Sequence, residues 1–131
     1  MNYVLDSWAV IAYFNKEPEG NKVRDKLLEA REGKIKIYMH LINLFEVYYI
    51  LCRKVGEDKA KRLIGWFKRC PVSFIGLEDD ILFSAGRIKA RFPISYADSF
   101  AVATAIEYKC KILTSDPEFK KTEELVKVEW L

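Results

Sequence analysis

Short β-type runs separated by stretches long enough to be helices recur along the whole chain, and this alternation restricts the architecture more than any single residue does. Residues 2–6 (NYVLD), 35–40 (IKIYMH), 72–75 (VSFI) and 111–115 (KILTS) read as strands, with VKVEW near the end as a candidate fifth. Between them, residues 7–15, 18–32, 42–54, 57–69, 78–91 and 95–109 read as helices. Pro18 suits a first helical position, Gly33 and Gly56 mark helix ends, and Glu78, Asp79 and Asp80 suit the positive end of a helix dipole. IKIYMH is apolar on both parities, as is usual for a strand covered on both faces. Strands joined by crossover helices build a mainly parallel sheet with helices on both sides. The expectation is a single α/β domain over residues 1–131, with function gathered beyond the carboxyl ends of the strands.

Composition narrows the class further. Half of the residues are hydrophobic and 14% aromatic, which suits a packed core and not a disordered chain. The formal charge of +3 is compatible with a nucleic-acid substrate without demanding one. Cys52, Cys70 and Cys110 are far apart, and His40 is the only histidine, so neither a disulfide framework nor a structural zinc site is indicated. No Lys or Arg precedes the first apolar stretch, and Asp6 cuts it short, which speaks against a signal peptide or a membrane span. The expected setting is the cytoplasm, with no membrane contact.

Four acids occupy unusual positions. Asp6, Glu46, Asp98 and Asp116 interrupt or end apolar runs, in YVLD, LINLFEVYYIL, ISYADSFAVATAI and KILTSD. An ionised carboxylate removed from water is costly unless it is paired or bound to a metal. Singly, each has a plainer explanation as a helix cap: Asp6 before Ser7, Asp116 before Pro117, and the capping-box patterns Asn43-x-x-Glu46 and Ser95-x-x-Asp98. Jointly they point elsewhere, because the remaining acids all lie in charged or turn-like surroundings. Asp6 and Asp116 follow strands, and Glu46 and Asp98 lie near the starts of helices on the same side of the sheet, so all four can meet at one rim.

Carboxylates crowded together raise one another's pKa unless a cation compensates. An all-oxygen set without His or Cys selects Mg²⁺ or Mn²⁺ over zinc. Sites of this kind with two ions roughly 3.5–4 Å apart hydrolyse phosphodiesters by in-line displacement. Ser7, Ser115 and the Asn43 amide stand beside the acids and suit the orientation of ligands or of phosphate oxygens.

Taken in order, VLDSWAVIAYF, NLFEV, YADSFAVATA and ILTSDPEF resemble the blocks of the PIN-domain nucleases, in particular the small VapC-type toxins of toxin–antitoxin pairs. The resemblance spans nearly the whole chain. It implies a three-layer α/β/α fold with a five-stranded, mainly parallel sheet, Mg²⁺- or Mn²⁺-dependent endoribonuclease activity, and a cognate antitoxin that blocks the site. It matches Asp6, Glu46, Asp98 and Asp116 to the family's acidic quartet and Ser115 to its hydroxyl position. Trp8 is a departure, since the family often carries a small residue after the Asp-Ser pair; its bulk narrows the cleft or forms a partner surface.

Other features carry less. His40, between Met39 and Leu41, reads as a structural residue at a strand end. Arg87, Lys89 and Arg91 precede the Asp98 helix and suit contact with RNA phosphates, or equally a helix C-terminus on a solvated face. Tyr48, Tyr49, Trp66 and Phe67 cannot all face one core, and an exposed remainder suits a homodimer or antitoxin interface. A PIN nuclease of RNA maturation and a non-catalytic scaffold of the same fold are the rival readings. A response-regulator receiver is disfavoured, because VSFIGLEDD has no Asp directly at its strand end.

Overall fold

The computed structural model describes residues 1–131. Five strands, β1 (Tyr3–Leu5), β2 (Ile37–His40), β3 (Ser73–Ile75), β4 (Lys111–Thr114) and β5 (Val128–Trp130), form one wholly parallel sheet in the order β3-β2-β1-β4-β5. Six α-helices connect them: α1 (Ser7–Phe14), α2 (Pro18–Arg31), α3 (Leu41–Val55), α4 (Glu57–Phe67), α5 (Asp79–Arg91) and α6 (Tyr96–Glu107), with a 3-10 turn at Pro117–Thr122. The three-layer α/β/α architecture with five strands is therefore as expected, and VKVEW does supply the fifth strand.

Alternation along β1 divides the core in two. Tyr3 and Leu5 face a cluster with Ile37, Met39 and Leu113 under α1 to α4, whereas Val4 faces the opposite cluster with Ile112 under α5 and α6. Both faces of the central strands are thus covered, which is why they read as continuous apolar runs. On the first face α2 lies against α1 at Gly20, where an added Cβ would stand 2.6 Å from the Ala12 carbonyl oxygen. Gly56, at φ 87°, holds the left-handed turn that lets α3 stop and α4 start at once.

One sequence expectation needs correction here. Asn43-x-x-Glu46 is not a capping box: α3 begins two residues earlier, capped by His40, whose Nδ1 accepts from the Ile42 amide at 3.0 Å. The strand-to-helix transition is abrupt, so Asn43 already lies in the first helical turn and its amide is free for another task. His40 is structural as expected, fully buried with its ring 4.8 Å from that of Phe100, and burial lowers its pKa. No helix is long and apolar enough to cross a membrane.

Candidate active site

The strand order places a topological switch between β1 and β4: from β1 the chain crosses toward β2, and from β4 it crosses toward β5. In open parallel sheets a crevice forms at the carboxyl side of such a switch. Here Leu5 pairs with Leu113, so Asp6, just beyond β1, and Thr114, the last residue of β4, lie side by side. Thr114 Oγ1 donates to Asp6 Oδ2 at 2.6 Å, and the same oxygen accepts from the Asp116 amide at 2.9 Å. One hydroxyl therefore joins the ends of both strands.

Asp6 is 1% exposed and caps α1, its Oδ1 accepting from the Ala9 amide at 2.9 Å. Each of its oxygens has one hydrogen bond, and an ionised carboxylate has about four acceptor positions, so the group keeps capacity for a further partner. Burial pushes its pKa up from 3.8 to about 7, opposed by the Thr114 and Ala9 bonds and reinforced by the charges of Asp98 and Asp116. Asp98, on the first turn of α6, is also buried and is also pushed up to about 7, by burial first, then by Asp116, and less by Glu46 and Glu118, with the Ser95 contact opposing. Ser95 Oγ caps α6 by accepting from the Asp98 amide at 3.1 Å, so half of the expected capping box is present. Glu46 is held by Ser7, whose hydroxyl donates to Oε1 at 2.8 Å. Asp116 caps the 3-10 turn through the Glu118 amide.

Asp6 and Asp116 are thus caps and candidate ligands at once, whereas Asp98 and Glu46 cap nothing. The charges of Asp98 and Asp116 bear on Asp6, and those of Asp116 and Glu46 bear on Asp98, at the carboxyl side of the sheet. As placed, no three of them form a group that could hold a metal ion. Their charge and their chemistry nonetheless suit a hard cation: an all-oxygen set, two carboxyls raised first by burial and further by neighbouring carboxylates, and a buried acceptor, Asn43 Oδ1, that has no hydrogen-bond partner. The Asn43 Nδ2 donates to the Ala97 carbonyl at 3.0 Å, pinning α3 to α6 one residue before Asp98.

Sequence reasoning missed two members of this group. Thr114 was hidden because a threonine in an apolar strand reads as a β-former, and the hydroxyl that contacts Asp6 is its own and not that of the exposed Ser115. Glu118 was hidden because PEFKKTEE is charged throughout; Lys121 pairs with it at 2.7 Å and also donates to the Pro93 carbonyl. Of the basic residues before α6, Lys89 donates to the Ile94 carbonyl at 2.7 Å, which closes the α5–α6 loop, while Arg87 and Arg91 are exposed. Among the aromatics, Phe67 is fully buried, Tyr48 and Tyr49 are partly buried, and Trp66 stacks on Tyr13 at 5.9 Å.

The family profile described as the PIN domain matches residues 3–125. The chain belongs to the PIN-domain family. Solved PIN-fold structures agree in shape over almost the full length. The VapBC2 complex from Rickettsia felis, bound to a DNA fragment from its promoter, matches with a TM-score of 0.78 at 19% identity, covering 99% of this chain and 98% of that one. DNA-bound VapBC from Salmonella typhimurium gives 0.79 at 15% identity, with 99% and 98% covered. VapC20 of Mycobacterium tuberculosis, described as a toxin that cleaves the sarcin-ricin loop, gives 0.73 at 16% identity, with 97% and 98% covered. At these identities the likeness concerns the PIN fold. No curated protein matches the sequence.

Proposed function

We propose that this PIN-domain chain is a divalent-metal-dependent endoribonuclease that acts as the toxin of a toxin–antitoxin pair in the cytoplasm, as a homodimer inhibited by its antitoxin. The observation that supports the reading is that Asp6 and Asp98 lie buried at the carboxyl side of a PIN-fold sheet, where burial first, and then the charge of Asp116, raises the pKa of both. A group of like charges without a compensating cation is destabilising, so a retired site has no physical reason to retain it.

In this reading Asp6, Glu46 and Asp116 hold the metal directly and Asp98 completes or extends the site. When bound, Mg²⁺ or Mn²⁺ neutralises the carboxylates, polarises phosphate oxygens and acidifies water. The chain's own residues do the rest. Thr114 and the Ala9 amide fix the Asp6 carboxylate, Ser7 fixes Glu46, and Asn43 sets the start of α6 and hence Asp98. Asn43 Oδ1 remains available to accept from a ligand and the Ser115 hydroxyl to donate to a phosphate oxygen, and Arg87 and Arg91 suit contact with phosphates farther along the RNA. Hydrolysis forms one bond from water oxygen to phosphorus and breaks the bond from phosphorus to the leaving ribose oxygen. Single-stranded loops are the substrate class best suited to it, because their bases can splay apart.

The test is incubation of purified protein with a structured RNA in Mn²⁺ or in EDTA, alongside Asp6→Asn. Cleavage by the wild type in Mn²⁺ alone, and none by a folded Asp6→Asn protein, is expected. Equal cleavage by Asp6→Asn refutes the assignment. Growth arrest on expression, relieved by the same substitution, separates a toxin from a maturation nuclease.

A further inference from the structure

Trp8 occupies the second position of α1, two residues after Asp6, and is 47% exposed although the four residues that follow it are buried. A single exposed aromatic is ordinary and carries nothing alone. This one forms a wall of a cavity of about 600 Å³ whose other walls include Asn15, Lys54, Ser115, Asp116 and Pro117. Asp116 belongs to this cavity and to the acidic group at once, so the cavity is continuous with the candidate active site. Trp66 is stacked on Tyr13, whereas Trp8 pairs with no other ring and its indole N–H makes no hydrogen bond within the protein. Lys54 forms no ion pair. Asn15 uses its amide nitrogen on Glu17 and leaves its carbonyl oxygen as an acceptor.

A flat apolar face, an unpaired cation and a free amide acceptor beside a phosphodiester site describe the needs of one unstacked nucleotide. We propose that the Trp8 cavity is a nucleobase subsite: an unpaired base of the RNA, next to the phosphate that a cation at Asp116 would hold, stacks on the indole while Lys54 meets the adjoining phosphate and Asn15 reads the base edge. The inference rests on the ribonuclease reading, and it adds a determinant of where the strand is cut. Stacking on an aromatic side chain tolerates all four bases, and selectivity then falls to the edge contact. Glu17 and Glu19 also line the cavity, so a polyanion enters it only with a cation at Asp116, which the proposed function supplies.

The test separates binding from cleavage. Single-stranded RNA oligonucleotides, intact or with one abasic ribose placed at each position in turn, are titrated by fluorescence anisotropy into wild-type protein, Trp8→Ala and Trp8→Phe, with Ca²⁺ as a non-cleaving cation. Trp8→Ala is expected to weaken binding of intact RNA by roughly 5- to 100-fold and Trp8→Phe by much less. An abasic ribose at one position should cost wild type the same factor and cost Trp8→Ala nothing more. Cleavage in Mn²⁺ with binding indifferent to Trp8 overturns the subsite while leaving the nuclease standing, and is the outcome if this face docks a protein instead. Trp8-dependent binding without cleavage by wild type sustains the subsite and overturns the nuclease. Absence of RNA binding by the wild type overturns the subsite outright.

Discussion

Thr114 and Asp6 touch across the seam where the sheet's connections diverge, with Thr114 Oγ1 donating to Asp6 Oδ2 at 2.6 Å. The bond joins β4 to the start of α1 and, through the Asp116 amide, reaches a second acid. Removing the hydroxyl without changing the volume isolates its role. Thr114→Val should cost about 1–3 kcal/mol in urea unfolding, since a buried carboxylate and a backbone amide both lose a partner, and should slow RNA cleavage at least tenfold. Thr114→Ser should stay near wild type in both. A Val variant as active as wild type would show that the hydroxyl does not position Asp6.

Asn43 makes a separate test of positioning. Its amide ties α3 to the Ala97 carbonyl, one residue before Asp98, and is fully buried. Asn43→Ala should destabilise the chain by about 1–3 kcal/mol, because the Ala97 carbonyl loses its side-chain donor and a cavity is left. Cleavage should fall with kcat affected more than KM, as expected when a group acts on the geometry of the site and not on general binding.

The two raised carboxyls give stability a particular pH dependence in EDTA. Asp6 and Asp98 ionise near 3.8 when unfolded and near 7 when folded. Between these values the folded chain holds more protons than the unfolded one, so their contribution to stability is fully present below about 4, declines as pH rises to about 7, and stays lost above that. Asp98→Asn should therefore flatten the fall in Tm between pH 5 and pH 8 relative to wild type. Parallel curves for the two proteins would refute the raised pKa of Asp98, whose first cause is burial and whose second is the charge of Asp116.

Gly20 tests the helical layer that carries Asp6. A Cβ there would meet the Ala12 carbonyl oxygen at 2.6 Å and the Tyr13 Cα at 2.7 Å, both backbone atoms that cannot step aside. Gly20→Ala should cost about 1–3 kcal/mol or more in chemical denaturation despite alanine's better helix propensity. A gain in stability would mean that α1 and α2 are not packed so closely.

The strands, the parallel sheet and the position of the acids were legible because each rests on local pattern: β-rich runs of four to six residues, helices long enough to cross over, and carboxylates amid apolar neighbours. Sheet order was not, because which strands become neighbours is decided by packing between distant segments. The same limit hid Thr114, whose importance comes from lying across from Asp6, 108 positions away. It hid Glu118 too, since the charged surroundings that made it look solvated in sequence say nothing of Asp98 nearby in space. The false capping box at Asn43 has a local cause: the chain turns from β2 into helix without a loop, and a histidine supplies the cap usually given by Ser, Thr, Asp or Asn.

The most direct test of the central claim, that these acids form a site for a divalent cation, is calorimetric titration of Mn²⁺ into the metal-free protein at pH 7.5. Saturable binding to the wild type is expected, with the affinity lowered at least tenfold in both Asp6→Asn and Asp98→Asn while their circular dichroism is unchanged. Wild-type protein that takes up no Mn²⁺, or substituted proteins that bind it equally well, would contradict the claim.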